Sequence, residues 1–395
     1  TFAHEVRCSQ HGLVMKFSSV LTGVRASHDD DDDLTGGKGL EKGLIQDASW
    51  GGPAPSRTLH WPLLVVIFVV AGLVACEYYW PRVFPASAVS PTTIDTTDVM
   101  GLRQVGIAGI VEKNVRVNGA RLNFAERPAT TGNTEIPLVM LHGYLDSWKS
   151  WTNVLRALPE GRRVLLLTHR GWGDSAKRGE YSVSAYAADV AAFLVGQNSS
   201  RSILVGHSMG TLIATAVAAR HEDLVDGLIL CSAAAKMSPD HVLPDGTTMR
   251  GLGRVIGKLF PESRPLTSDG VAFLRSFQLD DLKPFLDSGD VTHEFEDQVM
   301  HETLKATPRS YREAWQNMLE EDHFSEMARI KKPVLIIWGT KDYIFDAAAQ
   351  AQLRTALPLA SITSSNVSGA PHGVIWTSGP TCARQMLNWL RITNL

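Results

Sequence analysis

The sequence predicts an α/β fold, a mostly parallel β-sheet flanked by helices, with a helical insertion and one preceding transmembrane helix. Short continuous apolar runs, such as residues 136–141 and 164–168, alternate with helix-like stretches such as 186–195. This alternation is typical of buried parallel strands that are covered on both faces. The strand signal disappears between about residues 235 and 328, and an uncharged apolar run over residues 62–76 precedes the whole pattern.

The composition is that of a folded protein with no bias toward polyanionic partners. Of the 395 residues, 44% are hydrophobic and 20% are charged, and the net charge is −3. Without a broad basic field, nucleic acid is excluded as a partner. The four cysteines, Cys8, Cys76, Cys231 and Cys382, show no metal-ligand or disulfide spacing. We therefore expect no metal site, and we expect Cys231 and Cys382 to be buried small hydrophobic residues.

The N-terminal region divides into three predicted segments. Residues 1–58 lack a hydrophobic period and contain five consecutive aspartates, which predicts a disordered tail. Residues 59–80 are mainly apolar, with His60 and Glu77 and several aromatic residues near the two ends, and they are long enough to span a bilayer. This predicts a transmembrane anchor followed by a linker over 81–99. Slightly more positive charges lie on the N-terminal side of this segment than on its C-terminal side, which favours a C-terminal domain outside the cytosol. An alternative interpretation is a cleaved signal with a lipobox that ends at Cys76.

The remaining residues, 100–395, are predicted to form one domain. It opens with an antiparallel hairpin, because two alternating runs flank Asn118-Gly119, a dipeptide that accepts the positive φ angles of a type I′ turn. The insertion over about 235–328 contains amphipathic helical pieces and lies between two predicted strands. An insertion of this size at the active-site edge of a sheet is typical of a lid.

A candidate nucleophile lies in Gly206-His-Ser-Met-Gly210, between an apolar strand-like run and an alanine-rich helix. In this context the two glycines permit a tight strand-to-helix turn, and the strained turn exposes the hydroxyl of Ser208 above the sheet. A serine must transfer its proton to a base before it attacks a carbonyl, and a carboxylate must orient that base. The pattern therefore predicts a histidine and an acid later in the chain.

Asp342 and His372 are the predicted acid and base. Asp342 follows the strand-like run 334–338 across a short turn, and His372 lies in a loop after the predicted strand 362–367. Asp346 is a rival acid, but its position before a helix favours a role as an N-cap. The tetrahedral intermediate also needs two amide donors, for which the backbone N–H groups of Met209 and Tyr144 are predicted, the latter in the loop after the first central strand.

Four motifs follow one another in the chain and begin at His142, Arg170, Gly206 and Trp338. In this order they resemble the α/β-hydrolase-fold family, in its branch of lidded esterase-like enzymes. The resemblance extends over about residues 119–390, and it implies a catalytic triad of Ser208, Asp342 and His372 with an oxyanion hole at Tyr144 and Met209. The family usually has glycine where this chain has Pro371 and an acidic residue where it has Thr377.

These observations predict a serine hydrolase that cleaves carboxylic esters, on a small-molecule or lipid-like acyl substrate, through an acyl-enzyme on Ser208. No cofactor or metal is implied. Alternatives that share the triad are a cofactor-free haloperoxidase or perhydrolase and a carbon–carbon bond hydrolase, and a further alternative is a non-catalytic ligand-binding protein. A serine at position 208 argues against haloalkane dehalogenases and epoxide hydrolases, which need a carboxylate nucleophile.

Overall fold

The computed structural model describes residues 3–7, 14–18, 109–197, 199, 201–262, 264–279 and 282–395. The chain divides into two compact units, Thr1–Thr93 and Ile94–Leu395. In the first unit, β1 (Ala3–Arg7) pairs with β2 (Val14–Ser18) in an antiparallel sheet. This pair lies within the region that was predicted to be a disordered tail. The sequence did not indicate the two strands because five residues are too few to give a clear periodicity. The predicted anchor 59–80 and linker 81–99 lie outside the described residues, and none of the helices described is long and apolar enough to cross a membrane.

The second unit is built on an eight-stranded sheet with the order β10-β9-β8-β7-β5-β6-β4-β3. It opens with the predicted hairpin of β3 (Val111–Val117) and β4 (Ala120–Arg127). The turn residues Asn118 and Gly119 have φ angles of 46° and 74°, as the dipeptide predicts. β4 also pairs antiparallel with β6 (Val164–Leu167), so the hairpin forms one edge of the sheet.

The other strands are parallel to one another, as the alternation of elements predicts. The central strands are short, apolar and almost wholly buried because helices cover both faces of the sheet. β10 lies at the other edge and exposes several of its polar residues. Besides β6, the parallel strands are β5 (Leu138–Leu141), β7 (Ser202–His207), β8 (Val225–Cys231), β9 (Val334–Gly339) and β10 (Ile362–Val367).

The helices around the sheet follow the strands in the order expected for crossover connections. α3 is rich in alanine and threonine, which lets it lie buried against β7. Cys231 at the end of β8 and Cys382 in α12 are buried, as predicted, and burial raises the pKa of the Cys382 thiol to about 12. These helices are α1 (Thr152–Ala157), α2 (Val183–Gly196), α3 (Met209–Arg220), α10 (Ala347–Ala356), α11 (Val374–Thr377) and α12 (Gly379–Thr393).

Between β8 and β9 the described residues form six α-helices, in the region where a helical insertion is predicted. Threonine side chains cap three of them, since Thr248, Thr292 and Thr307 each accept a hydrogen bond from a backbone amide in the first turn. The six are α4 (Met249–Leu259), α5 (Ser268–Leu279), α6 (Lys283–Ser288), α7 (His293–Leu304), α8 (Pro308–Glu320) and α9 (Phe324–Met327). We refer to them together as the lid.

Candidate active site

Ser208 lies at the tight turn between β7 and α3. Its backbone has φ 50° and ψ −118°, a left-handed conformation that a residue with a side chain rarely adopts. The turn is close-packed, because a Cβ added at Gly206 would lie 2.5 Å from the carbonyl oxygen of Gly210. A Cβ added at Gly210 would collide with the carbonyl of Leu141 in β5. Only glycine fits at both positions, and the Ser208 side chain is held at the carboxyl end of the sheet.

His372 connects Ser208 to Asp342. Its Nε2 lies 2.8 Å from Oγ of Ser208, and its Nδ1 lies 3.0 Å from each carboxylate oxygen of Asp342. The Asp342 side chain has no exposed surface, and that of His372 is 13% exposed. Because the ionised carboxylate only accepts, Nδ1 carries the proton and Nε2 is free to accept the hydroxyl proton of Ser208. The structure thus brings together the three side chains that the sequence predicted.

The turn after β9 holds the Asp342 carboxylate in place. Its Oδ1 accepts hydrogen bonds from the backbone amides of Ile344 at 3.0 Å and Phe345 at 2.9 Å. The rival acid Asp346 instead caps α10 and accepts a hydrogen bond from the amide of Ala349 at 2.9 Å. Asp342 is therefore the acid of this turn that contacts His372.

The loop that carries His372 is fixed by two side chains that the sequence analysis did not select. The main-chain carbonyl of His372 accepts hydrogen bonds from Oγ of Ser232 at 2.7 Å and from Nε2 of His207 at 3.1 Å. Burial lowers the pKa of His207 to about 3, so this imidazole is neutral and donates through Nε2. With these contacts, His372 reaches Ser208 although Pro371 replaces the usual glycine.

The loop after β5 lies beside the nucleophile, as required for the predicted oxyanion hole. A Cβ added at Gly143 would lie 3.2 Å from Cβ of Ser208. In the described part of the chain, the amides of Tyr144 and Met209 donate to no backbone or side-chain acceptor. Both predicted donors are therefore available to a substrate oxygen at this turn.

His142 fixes the direction of the Tyr144 amide. Its Nδ1 donates to the carbonyl of Gly143 at 2.7 Å, and its Nε2 accepts from the amide of His169 at 3.0 Å. Burial lowers the pKa of His142 to about 4, so the neutral ring keeps both roles. The peptide between Gly143 and Tyr144 is trans, so its N–H points away from its carbonyl and hence away from His142.

A cavity of about 50 Å³ adjoins the nucleophile beneath the lid. Its wall is mainly apolar and aromatic, and besides Ser208 and His372 it includes the polar side chains of Asp146, His207 and Gln278. A larger cavity of about 540 Å³ lies at the opposite end of the sheet, where β5 and β6 begin, and none of the predicted catalytic residues lines it. Lid residues that line the small cavity include Phe277, Gln278, Trp315 and Met318, and Leu282 lines it from the position directly before α6.

The relatives of the chain agree with this architecture. A family model described as alpha/beta hydrolase fold matches residues 136–378, more than half of the chain. The chain belongs to the α/β-hydrolase family. It is similar to the AB hydrolase superfamily protein YisY of Bacillus subtilis, with 32% identity over 220 residues that cover 54% of this chain and 78% of that protein.

Other α/β-hydrolases share less sequence with the chain. Epoxide hydrolase 3 of Xenopus tropicalis is 26% identical over 255 residues, which cover 60% of this chain and 66% of that protein, just under two thirds of its length. The solved structure of the esterase RhEst1 from Rhodococcus sp. superposes with a TM-score of 0.58 and 23% identity, covering 72% of this chain and 98% of that one. This last similarity shows the fold alone.

In this α/β-hydrolase, the lid contacts the loop that carries the Tyr144 amide. The Tyr144 hydroxyl donates to the main-chain carbonyl of Tyr311 in α8 at 2.7 Å. Thr303 of α7 donates through Oγ1 to the carbonyl of Leu145 at 2.8 Å. The sequence motif indicated the Tyr144 backbone, but no local pattern indicates these contacts because the partners lie more than 150 residues apart in the chain.

Proposed function

We propose that this protein is a serine hydrolase that cleaves carboxylic esters through an acyl-enzyme on Ser208. The observation that carries the proposal is the continuous contact from Asp342 through His372 to Ser208, with Nε2 of His372 2.8 Å from the hydroxyl oxygen. This distance is within the range for direct proton transfer between a nucleophile and its base.

Acylation begins when His372 takes the hydroxyl proton of Ser208 and Oγ attacks the ester carbonyl. The carbonyl oxygen becomes an oxyanion that the amides of Tyr144 and Met209 stabilise, and Asp342 stabilises the imidazolium. As the bond to the alcohol breaks, His372 transfers its proton to the leaving oxygen. Ser208 then carries the acyl group, and the neutral imidazole is restored.

Deacylation repeats these steps with water. His372 removes a proton from the water, the hydroxide attacks the acyl carbonyl, and the same two amides bind the second oxyanion. Ser208 leaves with the proton from His372, and the carboxylic acid is released. The first proton of Ser208 leaves with the alcohol and is replaced by one from water, so Ser208 and His372 end the cycle in their starting protonation states.

The chain is similar to an epoxide hydrolase, but epoxide cleavage is not favoured because the nucleophile at position 208 is a hydroxyl group and not a carboxylate. A carboxylate that opens an epoxide forms an ester, and water can then attack the carbonyl carbon of that ester. The hydroxyl of Ser208 would form an ether, which has no carbonyl and would not be released by this machinery. Ester cleavage is therefore the reaction that a serine nucleophile completes.

Turnover of p-nitrophenyl esters with acyl chains from acetate to dodecanoate tests the proposal. We expect hydrolysis by the full-length protein and loss of about 10⁴-fold or more in kcat for Ser208→Ala and for His372→Ala. The double variant should be no worse than either single variant, because the two residues act as one unit. Ser364→Ala, at an exposed serine of β10, is the matched control. Hydrolysis that persists in Ser208→Ala would overturn the proposal.

A further inference from the structure

Asp146 is a buried acidic residue to which the proposed mechanism gives no role. It is 2% exposed, yet it lines the cavity that also contains Ser208 and His372. The preceding residue, Leu145, has a φ of 69°, and the residues on both sides of it, Tyr144 and Asp146, line the cavity. The loop thus presents a backbone donor and a carboxyl group to the same space.

The carboxyl group of Asp146 has no partner within the described parts of the protein. Its Oδ2 is buried without a hydrogen bond, and no described lysine, arginine or histidine forms an ion pair with it. Buried polar side chains are almost always hydrogen-bonded, and an unpaired buried carboxylate is strongly unfavourable. A lone carboxyl group at the wall of a binding cavity therefore indicates a partner supplied by the ligand.

The surroundings decide which form of the carboxyl group is present. Burial, followed by the negative charge of Glu302, raises the pKa of Asp146 well above its ordinary value. Glu302 is itself kept ionised by Lys149 at 2.6 Å and Lys305 at 2.8 Å, so its charge persists at neutral pH. Both effects favour the protonated form of Asp146, and a protonated carboxyl group is a hydrogen-bond donor.

Asp146 provides the unpaired carboxyl group of the cavity wall, where Nε1 of Trp376 and Nδ1 of His207 are also buried without a partner among the described residues. Gln278 of the lid already donates through Nε2 to the carbonyl of Leu145 at 3.4 Å and to Oγ1 of Thr303 at 3.3 Å. His207 donates through Nε2 to the carbonyl of His372 at 3.1 Å. Around them the wall consists of large apolar and aromatic side chains. An ester with only hydrocarbon substituents would bury the carboxyl group of Asp146 without a partner.

We propose that Asp146 is a substrate-recognition residue that donates a hydrogen bond to a second oxygen atom of the ester substrate, a few bonds from the scissile carbonyl. The proposal rests on the ester hydrolase activity proposed above. Suitable acceptors are an ether, a hydroxyl or a further carbonyl oxygen. The substrate class is then oxygenated esters, in preference to esters of plain hydrocarbon acids and alcohols of the same size.

Two matched ester pairs test the proposal, one for each side of the scissile bond. On the acyl side, p-nitrophenyl 3-methoxypropanoate is compared with p-nitrophenyl pentanoate. On the alcohol side, 2-methoxyethyl acetate is compared with butyl acetate. In each pair an oxygen replaces one methylene group. For the wild-type protein, Asp146→Asn and Asp146→Leu, we measure the ratio of kcat/KM for the oxygenated ester to kcat/KM for the hydrocarbon ester. Comparing these ratios between variants cancels the intrinsic reactivity of the esters.

We expect Asp146→Leu to lower this ratio by roughly three- to tenfold in at least one pair, a factor that corresponds to the free energy of one neutral hydrogen bond. Asp146→Asn keeps a donor of the same size and should keep the ratio within about twofold. If the leucine variant fails to fold, Asp146→Ala provides a second apolar variant. Circular dichroism and thermal unfolding verify the fold of each variant.

The outcomes separate this proposal from the proposed function. If the wild-type protein hydrolyses none of the four esters, the proposed function fails. If it hydrolyses them and the ratios are unchanged in the apolar variants, the role of Asp146 is overturned and the hydrolase stands. Acetylcholine serves as a cationic probe. If the wild-type protein prefers acetylcholine to the two uncharged acetate esters and Asp146→Asn loses this preference, the carboxyl group is ionised, and this result would also overturn the proposal.

Discussion

The hydroxyl of Tyr144 donates a hydrogen bond to the main-chain carbonyl of Tyr311, over a distance of 2.7 Å. This bond joins the loop that carries a predicted oxyanion donor to helix α8 of the lid. The ring of Tyr144 also meets that of Trp315 of the same helix edge-to-face, with 5.4 Å between centroids. The position of the lid and the position of the Tyr144 amide are therefore coupled.

We predict that Tyr144→Phe lowers kcat about tenfold with little change in KM. The variant keeps the amide but loses the bond to the lid, so the donor is less well placed for the oxyanion while substrate binding is retained. Tyr181→Phe is the matched control, because the buried Tyr181 hydroxyl has no partner among the described residues. Steady-state kinetics on one p-nitrophenyl ester measure both parameters. A kcat for Tyr144→Phe equal to that of Tyr181→Phe would contradict the coupling.

The choice between two aspartates gives a second prediction. Asp342→Asn should lower kcat by about 10⁴-fold without unfolding the protein, because an amide in that place favours the wrong tautomer of His372. Asp346→Asn should leave kcat almost unchanged, since Asp346 caps α10 and asparagine is an equally good N-cap. Kinetics and thermal unfolding of both variants provide the comparison. A nearly normal kcat for Asp342→Asn together with a large loss for Asp346→Asn would show that Asp346 is the catalytic acid.

Glu302 gives a prediction about stability and pH. Burial alone would raise the pKa of Glu302, but the contacts with His301, Lys149 and Lys305 outweigh it and hold the pKa well below its ordinary value of 4.5. A depressed folded-state pKa adds stability above the unfolded pKa, and this stability is lost as the pH falls toward the folded pKa.

Glu302→Gln should accordingly lower the free energy of unfolding by about 3 kcal/mol at pH 7, because it leaves two lysines without their buried partner. The difference from the wild-type protein should shrink as the pH falls below 4.5. Glu313→Gln, in the more exposed pair with Arg309, should cost at most about 0.5 kcal/mol. Urea unfolding at several pH values measures both. A pH-independent difference for Glu302→Gln would show that its charge is not the cause.

The predicted anchor over residues 59–80 is tested by fractionation. The full-length protein should sediment with membranes and resist extraction with carbonate, whereas a chain that starts at Thr97 should be soluble. Intact mass distinguishes the alternative, since a lipobox signal would remove the residues before Cys76. Extraction of the full-length protein by carbonate would disprove a spanning anchor.

The fold and the central site could be predicted from the sequence because their signals are local. Buried strands are continuous apolar runs, and the turn at Ser208 requires glycines at fixed spacing, so both are readable within a few residues. Asp342 was separable from Asp346 by its position in the turn after β9. The motif order then indicated His372, although it lies 164 residues from Ser208.

Other features depend on long-range packing and could not be read in this way. His142 orients a peptide, Ser232 and His207 hold the His372 loop, and Asp146 lacks a partner, but each of these is known only when distant elements are placed together. The sequence also predicted no strands in the first eighteen residues, where β1 and β2 occur. Short strands give little periodicity, and pairing decides whether they form.

Covalent labelling of Ser208 tests the central claim most directly. A fluorophosphonate probe should react once with the full-length protein, and mass spectrometry should locate the adduct on the peptide that contains Ser208. Labelling should be abolished in Ser208→Ala and strongly slowed in His372→Ala, which lacks the base, while Ser364→Ala should label normally. An absence of labelling in the folded wild-type protein, or an adduct that persists in Ser208→Ala, would contradict the account.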